Sequence, residues 1–94
     1  MQATTQVRHD SSHRRFIAVV DGHEAELEYE QHGDVLSLTH TGVPKEIGGR
    51  GVAGDLVRTA LEYARAEGLK VQPACSYAAA FMERHRQYAD LLAS

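Results

Sequence analysis

The chain has 94 residues, room for one core and one binding cleft but not for two domains. Its 10 basic and 13 acidic residues give a formal charge of −3, which argues against a dedicated nucleic-acid binder. The single cysteine rules out an internal disulfide, and no apolar run approaches the roughly 20 residues that span a bilayer.

Residues 1–12 are polar and without periodicity, so they read as a flexible N-terminal tail ahead of a single domain over 13–94. No secretory signal is visible, and a cytoplasmic protein without a membrane partner is expected. Residues 14–20 (RRFIAVV) form the first strand candidate, and Asp21-Gly22 can turn the chain. Ala25, Leu27 and Tyr29 then alternate with Glu24, Glu26, Glu28 and Glu30. That alternation predicts a strand with one apolar face and one wet, acidic face. His32-Gly33-Asp34 is the next turn, and 35–43 (VLSLTHTGV) the third strand, stopped by Pro44. An antiparallel meander is the economical arrangement.

From Val52 the period changes. Val52, Ala53, Leu56, Val57, Ala60, Leu61 and Ala64 share one helical face, Glu62 precedes Arg65 by three positions, and Gly68 is a plausible stop. Residues 69–71 suit a short buried strand ended by Pro73, and 74–88 read as a second helix. Leu91 and Leu92 are expected to fasten the C-terminus to the core. The predicted order is β-β-β-α-β-α, a compact two-layer α/β domain with a mostly antiparallel sheet and both helices on one face.

Between the third strand and the first helix lies Val43-Pro44-Lys45-Glu46-Ile47-Gly48-Gly49-Arg50-Gly51-Val52-Ala53. The first turn of a helix leaves amide N–H groups without intrahelical partners, and phosphate oxygens can satisfy them. Gly49 and Gly51 let the backbone bend close to such a ligand, with Arg50 and Lys45 adding charge at the rim. A P-loop is excluded because no Lys-Ser/Thr follows the glycines. A dinucleotide fingerprint fits poorly because the preceding strand belongs to a meander. Spacing alone leaves two readings open: an anion site, or a glycine-rich turn that joins strand to helix.

Several strings together carry a resemblance to a known family. They are the Gly22 turn, Ala25-Glu26-Leu27-Glu28-Tyr29, Thr39-His40-Thr41-Gly42-Val43-Pro44, the glycine loop with its helix, and Val71-Gln72-Pro73-Ala74-Cys75-Ser76-Tyr77. Over about 14–92 the chain resembles the small GCN5-related N-acetyltransferase-like (GNAT-like) proteins, the YjdJ-type or N-acetyltransferase domain-containing protein 1 group. The resemblance implies the acyl-CoA N-acyltransferase fold, binding of acetyl-coenzyme A and acetyl transfer to an amine. The superfamily pattern is Gln or Arg, two residues, Gly, one residue, then Gly or Ala, and its amides cradle the pyrophosphate. Here Gly48, Gly51 and Ala53 hold those positions, so Gly48 departs from Gln or Arg. The implied cofactor-binding set is Thr41, Gly42 and Val43 for the pantetheine arm, with Gly48, Gly49, Arg50, Gly51, Val52, Ala53 and Gly54 around the diphosphate.

Acetyl transfer needs an amine with a free lone pair, donors for the oxyanion, and a proton for the departing thiolate. Cys75 follows Pro73 at a predicted helix start, a place that favours thiolates; a buried core cysteine is the plainer reading. The resemblance implies that Cys75 sits near the cofactor sulfur, taking the acetyl group or protonating the thiolate. His40 is the candidate base, for Cys75 or for the incoming amine, since histidine normally titrates near neutrality. A histidine hydrogen-bonded beside the sheet is its structural alternative. Tyr77 and Tyr88 are candidates for a place by the sulfur, core packing being the other reading. Arg84-His85-Arg86 suits either solvent or nucleotide phosphates. His9 and His13 have helical spacing for a metal pair but sit in a polar tail, so no metal is expected. Against the superfamily, no helices fall between the first two strands, so the acceptor cleft should be open. That suits a peptide or protein lysine, or a partner completing the pocket, in a monomer or weak homodimer. The alternatives are a coenzyme A-binding or regulatory module, and a small interaction domain that binds no nucleotide.

Overall fold

The computed structural model describes residues 6–93. Five strands form one sheet in sequence order: β1 (Val7–Asp10), β2 (Arg15–Val20), β3 (His23–His32), β4 (Val35–Gly42) and β5 (Lys70–Pro73). Neighbours from β1 to β4 are antiparallel, and β5 runs parallel to β4. The crossover between them is α1 (Val52–Glu67), and α2 (Ser76–Arg84) follows β5.

The order has one strand more than the sequence predicts. β1 lies inside the segment read as a loose tail, which corrects the domain start; residues 1–5 of that tail lie outside the described residues. The strand has little hydrophobic signal because its inward packing is aromatic. The His9 ring stacks on Phe16 at 4.2 Å between centroids and meets the edge of Tyr63 at 4.6 Å. Its Nε2 lies 2.6 Å from the Tyr29 hydroxyl, and desolvation by burial lowers its pKa below the ordinary 6.5. His13 sits apart, beside the Asp10 carboxylate, so the two histidines form no pair.

The alternation in β3 has the expected result: Ala25, Leu27 and Tyr29 are buried, and Glu24, Glu28 and Glu30 are exposed. The inward set joins Phe16, Ala18, Leu36 and Leu38 with the α1 residues Val52, Leu56, Val57, Ala60, Leu61 and Ala64 and with Ala78, Phe81 and Met82 of α2. Both helices therefore pack on one face of the sheet. Gly68 ends α1 in the left-handed conformation at φ +71°, its N–H reaching the carbonyls of Ala64 and Arg65.

The second helix is shorter than 74–88. It stops at Arg84, and after His85 (φ −113°, ψ 79°) the chain continues as a 3-10 turn over Arg86–Leu91. That break drops Tyr88 and Leu91 into the core, where the Tyr88 hydroxyl donates to Glu62 at 2.8 Å. Glu62 is thus taken, and Arg65 pairs with Asp90 at 3.0 Å instead of with Glu62. Leu92 keeps an exposed side chain; the Ala93 N–H bonds the Val71 carbonyl at 2.9 Å, so backbone as well as Leu91 fastens this end.

Candidate active site

The site begins where β4 outruns β5. The last residue of β4 paired with β5 is Leu38, opposite Pro73. Proline has no N–H, and the chain leaves the sheet there; the Cys75 N–H closes the end by bonding the Leu38 carbonyl at 2.9 Å. Residues 39–42 of β4 then have β3 on one side and no strand on the other. Their outer backbone groups have no strand partner among the described residues.

Within this stretch β4 carries one extra residue. Tyr29 pairs with Leu38, but Glu28 pairs with His40, so Thr39 is bulged out, its hydroxyl held 3.1 Å from the Glu28 carbonyl. An extra residue reverses the inside-outside alternation. Without it, the phase of Leu36 and Leu38 would carry His40 inward and Thr41 outward. With it, Thr41 pairs with buried Leu27 and faces the helices, whereas His40 pairs with exposed Glu28 on the bare face.

Thr41 accordingly meets Cys75. Its Oγ1 lies 3.3 Å from the Cys75 Sγ, and the same sulfur accepts the Ala78 N–H at 3.4 Å as the N-cap of α2. Cys75 is partly buried against the core. His40 is not its neighbour. This corrects the expectation of a histidine serving the cysteine: the bulge places the two side chains on opposite faces.

The loop from β4 to α1 makes a short 3-10 turn at Lys45–Ile47, which buries Ile47. Gly48 is extended, and Gly49 and Gly51 are left-handed at φ +77° and +78°, where a Cβ is strained. Gly51 is the N-cap of α1 and offers no side-chain cap. The first intrahelical bond in this turn runs from the Asp55 N–H to the Gly51 carbonyl at 3.0 Å. The amides of Val52, Ala53 and Gly54 precede it, so helix geometry gives them no intrahelical acceptor. Val43, Ile47, Gly48, Gly49, Gly51, Val52, Ala53 and Tyr77 line a cavity of about 270 Å³ in front of them. Uncapped amides and left-handed glycines beside a cavity fit a diphosphate. Arg50 is committed elsewhere, since its guanidinium pairs with Asp21 in the β2–β3 turn.

A second groove of about 420 Å³ continues from Gly51 and Tyr77 along α1 and α2, past Gly54, Arg58, Phe81, Arg84 and His85. Phe81 forms its floor, with His85 stacked at 4.1 Å and the Arg58 guanidinium 5.4 Å from the ring centroid. Tyr77, 42% exposed, stands where the two grooves meet. A Cβ on Gly54 would lie 3.5 Å from both the Phe81 ring and the Tyr77 hydroxyl. Tyr88 is turned into the core on Glu62, away from the cleft, and Arg86 lies outside this groove. The sequence reading missed Phe81 and Arg58 as groove residues. Phe81 is one of the apolar residues grouped on α2, and only the packing of the helices shows that its ring is shared between core and groove.

Residues 15–91 match the GCN5-related N-acetyl-transferase family. The chain belongs to that family. It is 40% identical to Protein NATD1 of Gallus gallus over 75 residues, covering 77% of this chain and 68% of that protein. Against Protein NATD1 of Homo sapiens the identity is 39% over 75 residues, 77% of this chain and 66% of that protein. The solution NMR structure of a GCN5-like protein from Staphylococcus aureus superposes with a TM-score of 0.75 at 27% identity, over 99% of this chain and 92% of that one. The fold is thus the compact GNAT fold, and the activity class is acetyl transfer to an amine.

Proposed function

We propose that this GNAT-family chain binds acetyl-coenzyme A along the α1 entrance and transfers the acetyl group, with Cys75 at the reacting end, to an amine admitted through an open cleft. One observation carries the reading. The cavity at the uncapped start of α1 reaches Val43 and Tyr77, the next residue after the unpaired edge of β4 and a residue two positions beyond Cys75, which itself contacts Thr41.

The cofactor supplies an activated thioester. The chain's own groups do the rest. The amides of Val52, Ala53 and Gly54 hold the diphosphate against the positive end of the helix. Thr41, Gly42 and Val43 offer backbone partners to an extended arm and an N–H for the developing oxyanion. The Phe81 floor with Arg58, Arg84 and His85 suits the nucleotide end. Cys75 either accepts the acetyl group, its thiol proton passing to the departing thiolate, or donates that proton while the amine attacks directly. In both cases the C–S bond breaks with its electron pair on sulfur.

The acceptor side has no wall of its own, which favours an amine carried by a peptide or protein, such as a lysine. A second reading, a coenzyme A-binding or regulatory module with little turnover, is favoured by Gly48 in place of Gln or Arg and by Arg50 being tied to Asp21.

The test is titration calorimetry with acetyl-coenzyme A followed by intact-mass and thiol-release measurements on wild type and Cys75→Ala. Binding with transfer in the wild type, and near-equal binding without transfer in the variant, is the expected result. Unchanged turnover in Cys75→Ala removes the cysteine from the mechanism. Binding without turnover in the wild type establishes the regulatory module, and no binding or melting shift at all establishes an interaction domain.

A further inference from the structure

The face of the sheet away from the helices carries an apolar feature that the helix-side grooves do not use. Val19 of β2 is 62% exposed, against 42% for Tyr77 and Leu92. Strand alternation turns it to the opposite face from Phe16 and Ala18, which lie in the core under the helices. Ile17 shares the face of Val19. It is buried, yet it stands outside the core cluster. With Gln6, Val7 and Arg8, these two residues line a groove of about 450 Å³. An exposed apolar knob thus stands beside a groove with apolar walls.

The charges around this feature are ordered by sign. Arg8 pairs in register with Ile17, and Ile17 with Glu26, so one row across β1, β2 and β3 reads base, apolar, acid. In the next row Val19 pairs with Glu24, while Gln6 lines the groove ahead of β1. Arg8 is in no ion pair among the described residues. Glu26 is held by Arg15 at 3.1 Å, and a carboxylate keeps acceptor sites for a second guanidinium. A row of this kind complements itself. Turned by half a revolution about an axis along β2, it lays base over acid, apolar over apolar and acid over base. Every contact across such an axis is made twice. The row Asp10, Arg15, Glu28 lacks this property, since the same turn lays acid over acid. The complementary patch is therefore confined to the Val19 end of β2.

We propose that two copies of this chain associate through that patch, β2 along β2, with Val19 of each seated against the groove of the other and Arg8 of each paired with the partner's Glu26. The apolar contact supplies the affinity, and the charge pairs fix the orientation. The patch is small and rimmed by charge, which puts the dimer in the weak, transient class. The α1 entrance and the α1–α2 groove lie on the helix side and stay open in both copies. Nothing in the proposal depends on the acetyltransferase reading.

The experiment is sedimentation velocity on the full chain from micromolar to millimolar concentration, with amide shifts followed by NMR over the same range. A monomer–dimer equilibrium is expected, with concentration-dependent shifts at Arg8, Ile17, Val19, Glu24 and Glu26 and none along α2. Val19 is exposed, so Val19→Lys should keep the wild-type melting temperature while weakening association by about tenfold or more. Arg8→Glu and Glu26→Lys each set like charges opposite one another, and each alone should stay monomeric where the wild type dimerises. Their equimolar mixture restores opposite charges at both pairs and should dimerise again. A chain that stays monomeric to millimolar concentration overturns the proposal and leaves the groove to a different partner. Association that Val19→Lys leaves unchanged overturns it by placing the contact elsewhere. A mixture that stays monomeric overturns the pairing of Arg8 with Glu26.

Discussion

The two ends of α1 are built on opposite plans. At its C-terminus the end is tied down: the Gly68 N–H reaches back to the Ala64 and Arg65 carbonyls, and the Leu69 N–H bonds the Ala64 carbonyl at 2.8 Å. Arg65 holds Asp90 at 3.0 Å and the Gln87 carbonyl at 2.9 Å, and Tyr88 holds Glu62. At its N-terminus the cap is a glycine with no side chain to accept an N–H, and the first-turn residues Val52 and Ala53 line a cavity. One helix thus anchors the fold at one end and leaves hydrogen-bonding capacity without an intrahelical partner at the other. Unspent donors cost stability when they lack a partner, and that cost is the mark of a site.

The contrast predicts that substitutions at the two ends separate binding from stability. Gly51→Val puts a β-branched residue at φ +78° and a side chain beside the cradle. It should weaken coenzyme A binding at least tenfold and cost about 1–2 kcal/mol of stability, read by calorimetry and denaturant melts. Tyr88→Phe leaves Glu62 without its donor at the closed end. It should cost about 1 kcal/mol and leave coenzyme A affinity unchanged. Loss of affinity in that variant would break the division of labour.

Two smaller effects sharpen it through pH. Hydrogen bonding from Arg65 holds the Asp90 carboxyl below its ordinary 3.8. A depressed carboxylate stabilises above its unfolded value, and the contribution is lost as pH falls through the folded one. Asp90→Asn should therefore be the less stable protein at pH 7, with the difference closing under acid. His9 is held neutral by burial, so the unfolded chain takes up its proton first as pH falls below about 6.5. Stability should decline from there towards the folded value, and His9→Phe should show a shallower decline in melting temperature over the same range. Equal slopes would remove His9 as the source.

Much of the frame is legible in the residues. The β3 alternation and the α1 stripe land as expected, except that Ala53 lies half-buried at the cradle cavity instead of in the core. The glycine loop is legible because left-handed turns and close approach need glycine, which leaves a compositional mark. β1 left none, because His9 does the packing work of an apolar residue. The bulge is the deeper omission. Thr39 carries no glycine or proline signal, and its effect is one of parity: a single extra residue decides which of two adjacent side chains meets Cys75. Sequence named both Thr41 and His40 but could not assign their faces. The pairing of Arg50 with Asp21 could not be read either, since Asp21 lies in a turn distant in sequence.

Gly54 carries a consequence of its own. A methyl group there would just touch Phe81 and Tyr77, so alanine fits, whereas each further carbon would act as a wedge between α1 and α2. The position is a gauge for the channel. Stepping it through Gly, Ala, Val and Leu would narrow the groove between α1 and α2 in graded increments while leaving Thr41 and Cys75 untouched.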